Sequence, residues 1–379
     1  MGKISNIDVI PVTIPYKEAF ITAYGQRVYK DHVIVRIQTS DGLVGFGESA
    51  PVPWIHGETQ LTISAIIKKY FAPIIIGKDP YDLEKIVHEL DKILANVPIA
   101  KAAIDIALHD ILGKILGVPV YILLGGCYRK KIPLVYVLRM EDPDRMVEKA
   151  KNAVKMGFTT LKMKVGEGFQ ADIERIKSVR EAIDSNVKLR IDANQGWSLK
   201  DAIKIIKTIE KHGYEIELIE QPIPNWDLEG MSKITSISTI PIAADESVYS
   251  PRDALIIVKH HACDIINIKV MKAGGLLNSK KIVYVSEAAG IPNLVGSMIT
   301  FGIGTIASAH LSAFIKDLRY ASEHIGPLYL KDDILEKPVE IERGSLKIPD
   351  KPGLGIGVSE EKIERYRNRD FKEILWEEK

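Results

Sequence analysis

The sequence has few of the features that would indicate a secreted, membrane-bound or nucleic-acid-binding protein. Its 379 residues include only two cysteines, Cys127 and Cys263, and their separation argues against a disulfide framework or a cysteine-based zinc site. Basic and acidic residues nearly balance, at 51 against 50. The balance gives no reason to expect a nucleic-acid partner or an acidic disordered tail.

Long apolar stretches are also missing. No run approaches the length of about 18 residues that a membrane-spanning helix needs. Asp8 interrupts the N-terminal segment, which therefore lacks the apolar region of a signal peptide. We expect a cytoplasmic protein without a membrane partner. A hydrophobic fraction of 46% suits a well-buried core, and the length favours two domains.

The first part of the chain reads as an α+β domain. Residues 1–50 alternate apolar and polar positions in three runs, and Asp41-Gly42 between two of them is a hairpin signal. Helical patterns follow over about 58–71, 80–95 and 100–116, and Pro73 is expected to end the first of these helices. Sheet followed by helices predicts a domain distinct from what comes next.

The rest of the chain is built on a repeat of short apolar runs that end in a charged residue. These residues recur at intervals of 24 to 28 positions, the length of one strand, one helix and two turns. They are Lys164, Asp192, Glu220, Asp245 and Lys269. With residues 131–138 as strand 1, Ser297 ends strand 7 and Glu323, in the run 318–323, ends strand 8. The rhythm predicts an α/β barrel with its site at the strand ends.

Strand order alone gives these residues a chemical meaning. In a closed eight-stranded barrel, strands 2 and 6 are opposite, so Lys164 and Lys269 face each other across Asp192, Glu220 and Asp245. Three converging carboxylates in an apolar cavity repel one another unless a cation lies among them, and an all-oxygen site suits Mg²⁺, with Mn²⁺ possible. A lysine near the metal and a second lysine is expected to have a lowered pKa and to act as a base.

Lys162 precedes Lys164 by two positions, and in a strand both side chains point into the barrel. We expect Lys162 to keep Lys164 deprotonated and to bind a substrate oxyanion. Two opposed bases permit removal of a proton from one face and its return to the other, whereas one base and one cation permit elimination or cyclisation. A single charged residue at a strand end is most often solvated, but five in series favour a catalytic site.

A set of specific motifs runs over nearly the whole chain: Lys162-Met-Lys164, Asp192-Ala-Asn194-Gln-Gly-Trp197, Glu220-Gln-Pro222, Asp245-Glu-Ser247, Lys269-Val-Met-Lys-Ala-Gly-Gly275, Ala102–Asp110 and Ile303–His310. In these motifs the chain strongly resembles the enolase superfamily and, within it, the muconate-lactonizing-enzyme subgroup. The resemblance implies a modified TIM barrel, (β/α)₇β, under an N-terminal α+β capping domain completed by the C-terminal segment. The expected boundaries are 1–126, 127–326 and 327–379.

The resemblance also implies residue roles. Mg²⁺ would be held by Asp192, Glu220 and Asp245, with Lys164 and Lys269 as acid/base catalysts and Lys162, Asn194 and Glu246 in support. The shared step would be abstraction of the proton α to a carboxylate, which gives an enediolate. Further substrate contacts are expected from two strand ends and from the two capping-domain loops 20–27 and 53–57. They are Ser297, Glu323, Thr22, Tyr24 and Trp54.

The net reaction is less determined by the motifs. The segment Ala321–Pro327 departs from the Asp-x-Asp of dipeptide epimerases and is more similar to the Glu-containing strand 8 of muconate cycloisomerases, which makes a muconate-type cycloisomerase the first expectation. Alternatives are racemisation or epimerisation of an amino-acid derivative or dipeptide, an o-succinylbenzoate-type reaction, and hydroxy-acid or hydroxyproline dehydration. A metal-dependent hydrolase or an inactive scaffold is disfavoured. We expect a small carboxylate substrate and a homo-oligomer.

Overall fold

The computed structural model describes residues 2–22 and 25–369. The chain opens with an antiparallel sheet in the order β1-β2-β3, made of Ile4–Thr22, Gly25–Thr39 and Val44–Ser49. The predicted hairpin lies between β2 and β3, where Gly42 has a φ of 89° that other residues rarely adopt. A Cβ on Gly47 would lie 1.8 Å from the carbonyl oxygen of Ala103, so β3 rests directly on the helix that contains Ala103.

A group of helices covers this sheet. They are α1 (Pro53–His56), α2 (Gln60–Ile66), α3 (Ala72–Ile75), α4 (Leu83–Ile93), α5 (Pro98–Leu116) and α6 (Val120–Leu124). Fourteen of the 19 residues of α5 are buried, because α5 contacts β3 on one side and barrel elements on the other. A helix enclosed in this way has no solvent-facing polar stripe along most of its length.

The prediction that Pro73 ends the first helix is wrong. The chain passes from α2 through a π-helical turn, Ile67–Phe71, into α3, which ends at Ile75. In that turn the N–H of Ala72 donates to the carbonyl of Ile67, five residues back. The wider turn accommodates Pro73, which lacks an N–H and would strain a regular α-helical turn.

The barrel is a curled parallel sheet of seven strands in chain order, β5 to β11. A short strand, β4 (Lys131–Pro133), precedes the barrel and belongs to another sheet. The barrel strands are β5 (Tyr136–Leu138), β6 (Thr160–Lys164), β7 (Lys188–Asp192), β8 (Ile216–Glu220), β9 (Ile242–Ala244), β10 (Ile265–Ile268) and β11 (Asn293–Val295). The helices are α7 (Pro143–Lys155), α8 (Phe169–Ala182), α9 (Leu199–His212), α10 (Leu228–Ile237), α11 (Pro251–His260), α12 (Val270–Ala273), α13 (Leu276–Ala288) and α14 (Gly302–Phe314). This architecture confirms the predicted fold class.

The two ends of the barrel differ from the prediction. Residues 131–138 are not one strand, because β4 pairs with the C-terminal segment and only β5 joins the barrel. The run 318–323 forms no regular strand; Ser322 alone bridges to Leu134. The gap between β5 and β11 is nevertheless closed by hydrogen bonds, since Glu323 N–H donates to Val295 O at 2.9 Å and Val135 N–H donates to Ser322 O at 3.0 Å.

The C-terminal segment returns to both parts of the molecule. It contains α15 (Gly326–Tyr329), β12 (Ile341–Glu342), β13 (Ser345–Lys347) and α16 (Glu360–Tyr366). Its strand β13 pairs with β4, whereas α16 contacts β1 of the first sheet. The domain boundaries at 126 and 326 stay predictions. Within the described residues, no helix is both long and apolar enough to cross a membrane.

Candidate active site

The charged residues predicted at the strand ends lie side by side at the C-terminal end of the barrel. Lys164, Asp192 and Glu220 are the last residues of β6, β7 and β8, and they are aligned in register with one another. Asp245 and Lys269 directly follow β9 and β10. The two lysines are thus separated by three strands that carry the three carboxylates.

Each lysine is held by a carboxylate. Lys164 Nζ lies 2.7 Å from Asp192 Oδ2 and 2.8 Å from Asn194 Oδ1. Lys269 Nζ is ion-paired with Asp245 Oδ2. Burial lowers the pKa of Lys269, but attraction to Asp245 and Glu220 more than offsets it, so its pKa is raised. The lowered pKa was expected for a lysine beside Mg²⁺ and a second lysine, so it stays a prediction.

Lys162 lies deeper than predicted. It is fully buried beneath the cavity, and its Nζ contacts Asp192 Oδ2 at 2.9 Å, Glu220 Oε1 at 2.8 Å and Glu323 Oε1 at 2.6 Å. Burial opposes its charge, yet the three carboxylates raise its pKa well above the usual value. Three carboxylates occupy its ammonium group, so Lys162 does not contact the cavity as the oxyanion-binding role requires.

The carboxylates influence one another strongly. Burial and the neighbouring Asp192 raise the pKa of Glu220 well above its usual value, although Lys162 opposes the shift. Burial also acts on Asp192, but Lys162 and Lys164 more than compensate and lower its pKa. Burial and repulsion by Asp245 raise the pKa of Glu246 to about 7.

Asn194 and Glu246 connect two of the strand ends. Asn194 has a left-handed backbone with φ of 42°, and its N–H donates to Asp192 Oδ1 at 2.9 Å. Its side-chain Nδ2 donates to Glu246 Oε1 at 3.1 Å. The other oxygen of Glu246 is buried without a hydrogen-bond partner. The amide therefore orients Lys164 with its oxygen and Glu246 with its nitrogen.

A cavity of about 780 Å³ lies between these strand ends and the first sheet. The predicted residues that line it are Lys164, Lys269, Asn194, Asp245, Glu246, Ser297, Glu323, Thr22 and Trp54. Trp54 is exposed at the cavity wall, and the guanidinium of Arg27 lies 4.0 Å from its ring centroid. Tyr24 falls outside the described residues.

Several residues at this site were not foreseen. Lys272, on α12, is buried and its Nζ contacts Asp245 Oδ1 at 2.7 Å. Asn267 donates its Nδ2 to Glu220 Oε1 at 3.0 Å. The position of Asn267, two residues before Lys269 on a strand, was a usable signal. No comparable pattern in the sequence indicates Lys272, because a lysine one turn into a helix is usually solvent-exposed.

The acidic side chains at the strand ends are the candidate ligands for a divalent cation. Among residues 2–22 and 25–369, no three acidic, histidine or cysteine side chains are already arranged to hold a metal ion. Lysines form ion pairs with Glu220, Asp192 and Asp245 instead. However, all the donors are oxygens, burial and the neighbouring Asp192 raise the pKa of Glu220, and Glu246 has a buried unpartnered oxygen. Such an oxygen-rich, mutually repelling set fits Mg²⁺.

Fold and site together define a barrel enzyme whose chemistry lies at the C-terminal strand ends under a capping domain. Residues 5–125 match the family of the mandelate racemase / muconate lactonizing enzyme N-terminal domain, and residues 145–362 match the enolase C-terminal domain-like family. The chain belongs to the mandelate racemase / muconate lactonizing enzyme family of the enolase superfamily.

The relatives are isomerases, which confirms the predicted enzyme class. The chain is 39% identical to the L-Ala-D/L-Glu epimerase of Bacillus subtilis over 348 residues, 92% of this chain and 93% of that protein. A dipeptide epimerase from Enterococcus faecalis V583, solved with Mg and L-Leu-L-Tyr, is 42% identical with a TM-score of 0.90, covering 94% and 99% of the chains. The 2-chloromuconate cycloisomerase of Rhodococcus opacus 1CP is 30% identical with a TM-score of 0.94, covering 97% and 100%.

Proposed function

We propose that this protein epimerises or racemises the α-carbon next to the carboxylate of a dipeptide or related amino-acid derivative. The observation that supports this best is the placement of Lys164 and Lys269. Both line one cavity, from strands β6 and β10 on either side of the three carboxylates. Two proton carriers on opposite sides of one carbon allow a proton to leave one face and return to the other.

The surrounding residues prepare both lysines for this exchange. Asp192 and Asn194 hold Lys164, whereas Asp245 holds Lys269. Short ion pairs restrict the rotamers of long side chains, so each amine is pre-positioned at the cavity wall. Thr22 at the end of β1 and Trp54 in α1 lie in the cavity wall, where the sequence had led us to expect loops. Both would help to exclude water from the proton transfer.

We further propose that Asp192, Glu220 and Asp245 hold Mg²⁺; the related dipeptide epimerase from Enterococcus faecalis was solved with Mg. When bound, Mg²⁺ would polarise the substrate carboxylate and stabilise the negative charge that develops on it. Glu246 and Asn194 would orient the ligands around it, and Lys162 would keep the buried acids partly neutralised from below.

A muconate-type cycloisomerase is the second candidate. It is favoured by Glu323, which lies at the closing edge of the barrel and lines the cavity. One lysine would suffice for that reaction. Epimerisation uses both, and a cavity of about 780 Å³ has room for a substrate of dipeptide size. A cytoplasmic location and a homo-oligomer stay predictions.

The proposal predicts distinct defects for the two lysines. Dipeptides would be incubated with the protein and Mg²⁺ in D₂O, and loss of the α-proton signal would be followed by NMR. Lys164→Met and Lys269→Met should each reduce epimerisation by about 10³-fold, the usual scale for removing a general acid–base group. Each variant should still exchange the α-proton of one configuration only, because one base remains.

Lys207→Met, an exposed lysine on α9, is the matched control and should behave as the wild type. Exchange of both configurations by either site variant would contradict the two-base assignment. Conversion of cis,cis-muconate without exchange in any dipeptide would favour the second candidate instead.

A further inference from the structure

Lys30 is the one buried lysine of the described chain that has no carboxylate partner. Four lysines of the described residues are buried, and three of them, Lys101, Lys162 and Lys272, form ion pairs. Lys30, on β2, is 6% exposed, and its Nζ donates to the carbonyl oxygen of Pro51 at 2.6 Å. An ammonium group has three hydrogens to donate, so one carbonyl leaves it incompletely satisfied.

Such a buried charge is energetically unfavourable. An ammonium group in a protein interior is normally either paired with an anion or deprotonated. Burial lowers the pKa of Lys30 to about 8, although attraction to Asp31 and Glu48 partly opposes the shift. At neutral pH the group is therefore still mostly protonated, and an anion close to Nζ would relieve the cost of its burial.

The position of Lys30 indicates where that anion would come from. Both Lys30 and Pro51 line the cavity, on the wall that the capping domain builds opposite the strand ends. The other charged residues of that wall are Arg27 and Asp31. Asp31 already accepts a hydrogen bond from Thr13 Oγ1 at 2.6 Å.

The histidines near Lys30 are neutral, so they add no charge to this wall. Burial and the nearby lysines lower the pKa of His56 to about 3, so its ring is neutral. Burial and Lys30 also lower the pKa of His32 well below its usual value. Two cations thus face one carboxylate among the groups of this wall that line the cavity. Glu48, which also attracts Lys30, is not part of the cavity lining and already accepts hydrogen bonds from two backbone N–H groups.

We propose that Lys30 binds a second anionic group of the substrate, so that the substrate is a dicarboxylate. One carboxylate would bind at the strand ends and the other would pair with the Lys30 ammonium group under the capping domain. Acidic dipeptides and amino acids with a dicarboxylic acyl group belong to this class. The inference deepens the proposed function and rests on it for the placement of the reacting carboxylate.

Binding of simple dicarboxylates tests the inference without turnover. The probes are glutarate, adipate and pimelate, each compared with its monoamide, which has the same size but one charge less. Titration calorimetry in the presence of Mg²⁺ should show that at least one dicarboxylate binds about tenfold more tightly than its monoamide. Lys30→Met should remove this preference, whereas Lys30→Arg should keep most of it.

Lys17→Met, an exposed lysine of the same sheet, is the control for loss of one positive charge and should retain the preference. Circular dichroism would establish that each variant is folded. Equal binding of dicarboxylates and monoamides by the wild type, no binding at millimolar concentration, or an unchanged preference in Lys30→Met would overturn the inference. A Lys30-dependent preference without α-proton exchange in any dipeptide would support it while contradicting the epimerase assignment.

Discussion

At the scale of single residues, the site depends on how buried charges are neutralised. Lys162 is completely enclosed, and it contacts Asp192, Glu220 and Glu323 at the same time. Removal of one partner from a buried ionic cluster usually costs several kcal/mol, because the remaining charges are left unpaired. Lys162 therefore acts as a fixed internal cation, and the two lysines at the cavity wall, Lys164 and Lys269, remain available for proton transfer.

Lys30 provides a prediction about pH and stability. Its pKa is about 8 in the folded protein against 10.5 for an ordinary lysine. Between these pH values the unfolded chain binds the extra proton, so the free energy of unfolding should rise with pH. Relative to Lys30→Met, the wild type should be less stable at pH 7 by about 3 kcal/mol, the equivalent of a shift of this size. The difference should shrink as the pH approaches 10.5.

Urea unfolding of the wild type and the variant across this pH range measures the difference directly. Lys17→Met should follow the wild-type curve, since Lys17 is exposed. A stability difference between wild type and Lys30→Met that stays constant with pH would show that Lys30 is not a desolvated cation. Asp31 and Glu48, the two carboxylates that attract Lys30, are present in both proteins.

At the scale of elements, close contacts between strand ends position the side chains that we propose to be catalytic. Gly296 follows β11, and a Cβ at this position would lie 2.4 Å from Asn267 Oδ1 and 2.8 Å from Lys269 Cε. Gly296→Ala should therefore displace Lys269 and the Asn267 contact with Glu220. We expect α-proton exchange to fall by about 10- to 100-fold, within the range for misplaced catalytic groups.

Gly290→Ala separates this effect from ordinary backbone strain. Gly290 has a φ of 73°, and a Cβ there would meet nothing within 4 Å. This control should lower the free energy of unfolding by about 1 kcal/mol and leave the exchange rate unchanged. An exchange rate in Gly296→Ala equal to that of the wild type would mean that the strand-end packing is not needed for catalysis.

The sequence predicted those elements that repeat a local pattern. The spacing of Lys164, Asp192 and Glu220 reflects one strand and one helix per unit, so it placed these residues correctly at the strand ends. Partners distant in the chain were not visible. Residues 131–133 look like the start of a barrel strand until they pair with 345–347. Pro73 looks like a helix end because no local pattern signals a π-turn.

The same limit applies to the site. Strand alternation places Asn267 and Lys269 on one face, but nothing local shows that Lys272 reaches Asp245. Likewise, Lys30 lies in strand β2, and no local pattern shows that its side chain is buried and donates to the carbonyl oxygen of Pro51. Residues whose role depends on an approach between two parts of the chain need the tertiary structure.

At the scale of the whole molecule, the first sheet is fixed to the barrel beside the cavity. The carboxylate of Glu48 accepts hydrogen bonds from the N–H groups of Phe301 and Gly304, both at 2.8 Å, at the start of α14. The rings of His32 and Phe301 stack with centroids 3.6 Å apart. Lys30, two residues before His32, is thereby held in a fixed position relative to the strand ends, as binding of both ends of one substrate requires.

The charges of the whole site predict how Mg²⁺ affects stability. Five carboxylates, Asp192, Glu220, Asp245, Glu246 and Glu323, are packed with four lysines, Lys162, Lys164, Lys269 and Lys272. The site has one excess negative charge if all these groups are ionised, and a divalent cation reverses its sign before a substrate carboxylate restores neutrality. Mg²⁺ should therefore stabilise the folded protein, by about 2.7 kcal/mol at a concentration of 100 times its Kd.

Thermal unfolding with and without EDTA measures this stabilisation. The control Glu229→Gln changes an exposed acid on α10 and should respond as the wild type does. Asp245→Asn removes one proposed ligand and should lose most of the response, whatever its own stability. If Mg²⁺ stabilises Asp245→Asn as strongly as the wild type, the cation binds elsewhere and the assignment of Asp245 as a ligand is wrong.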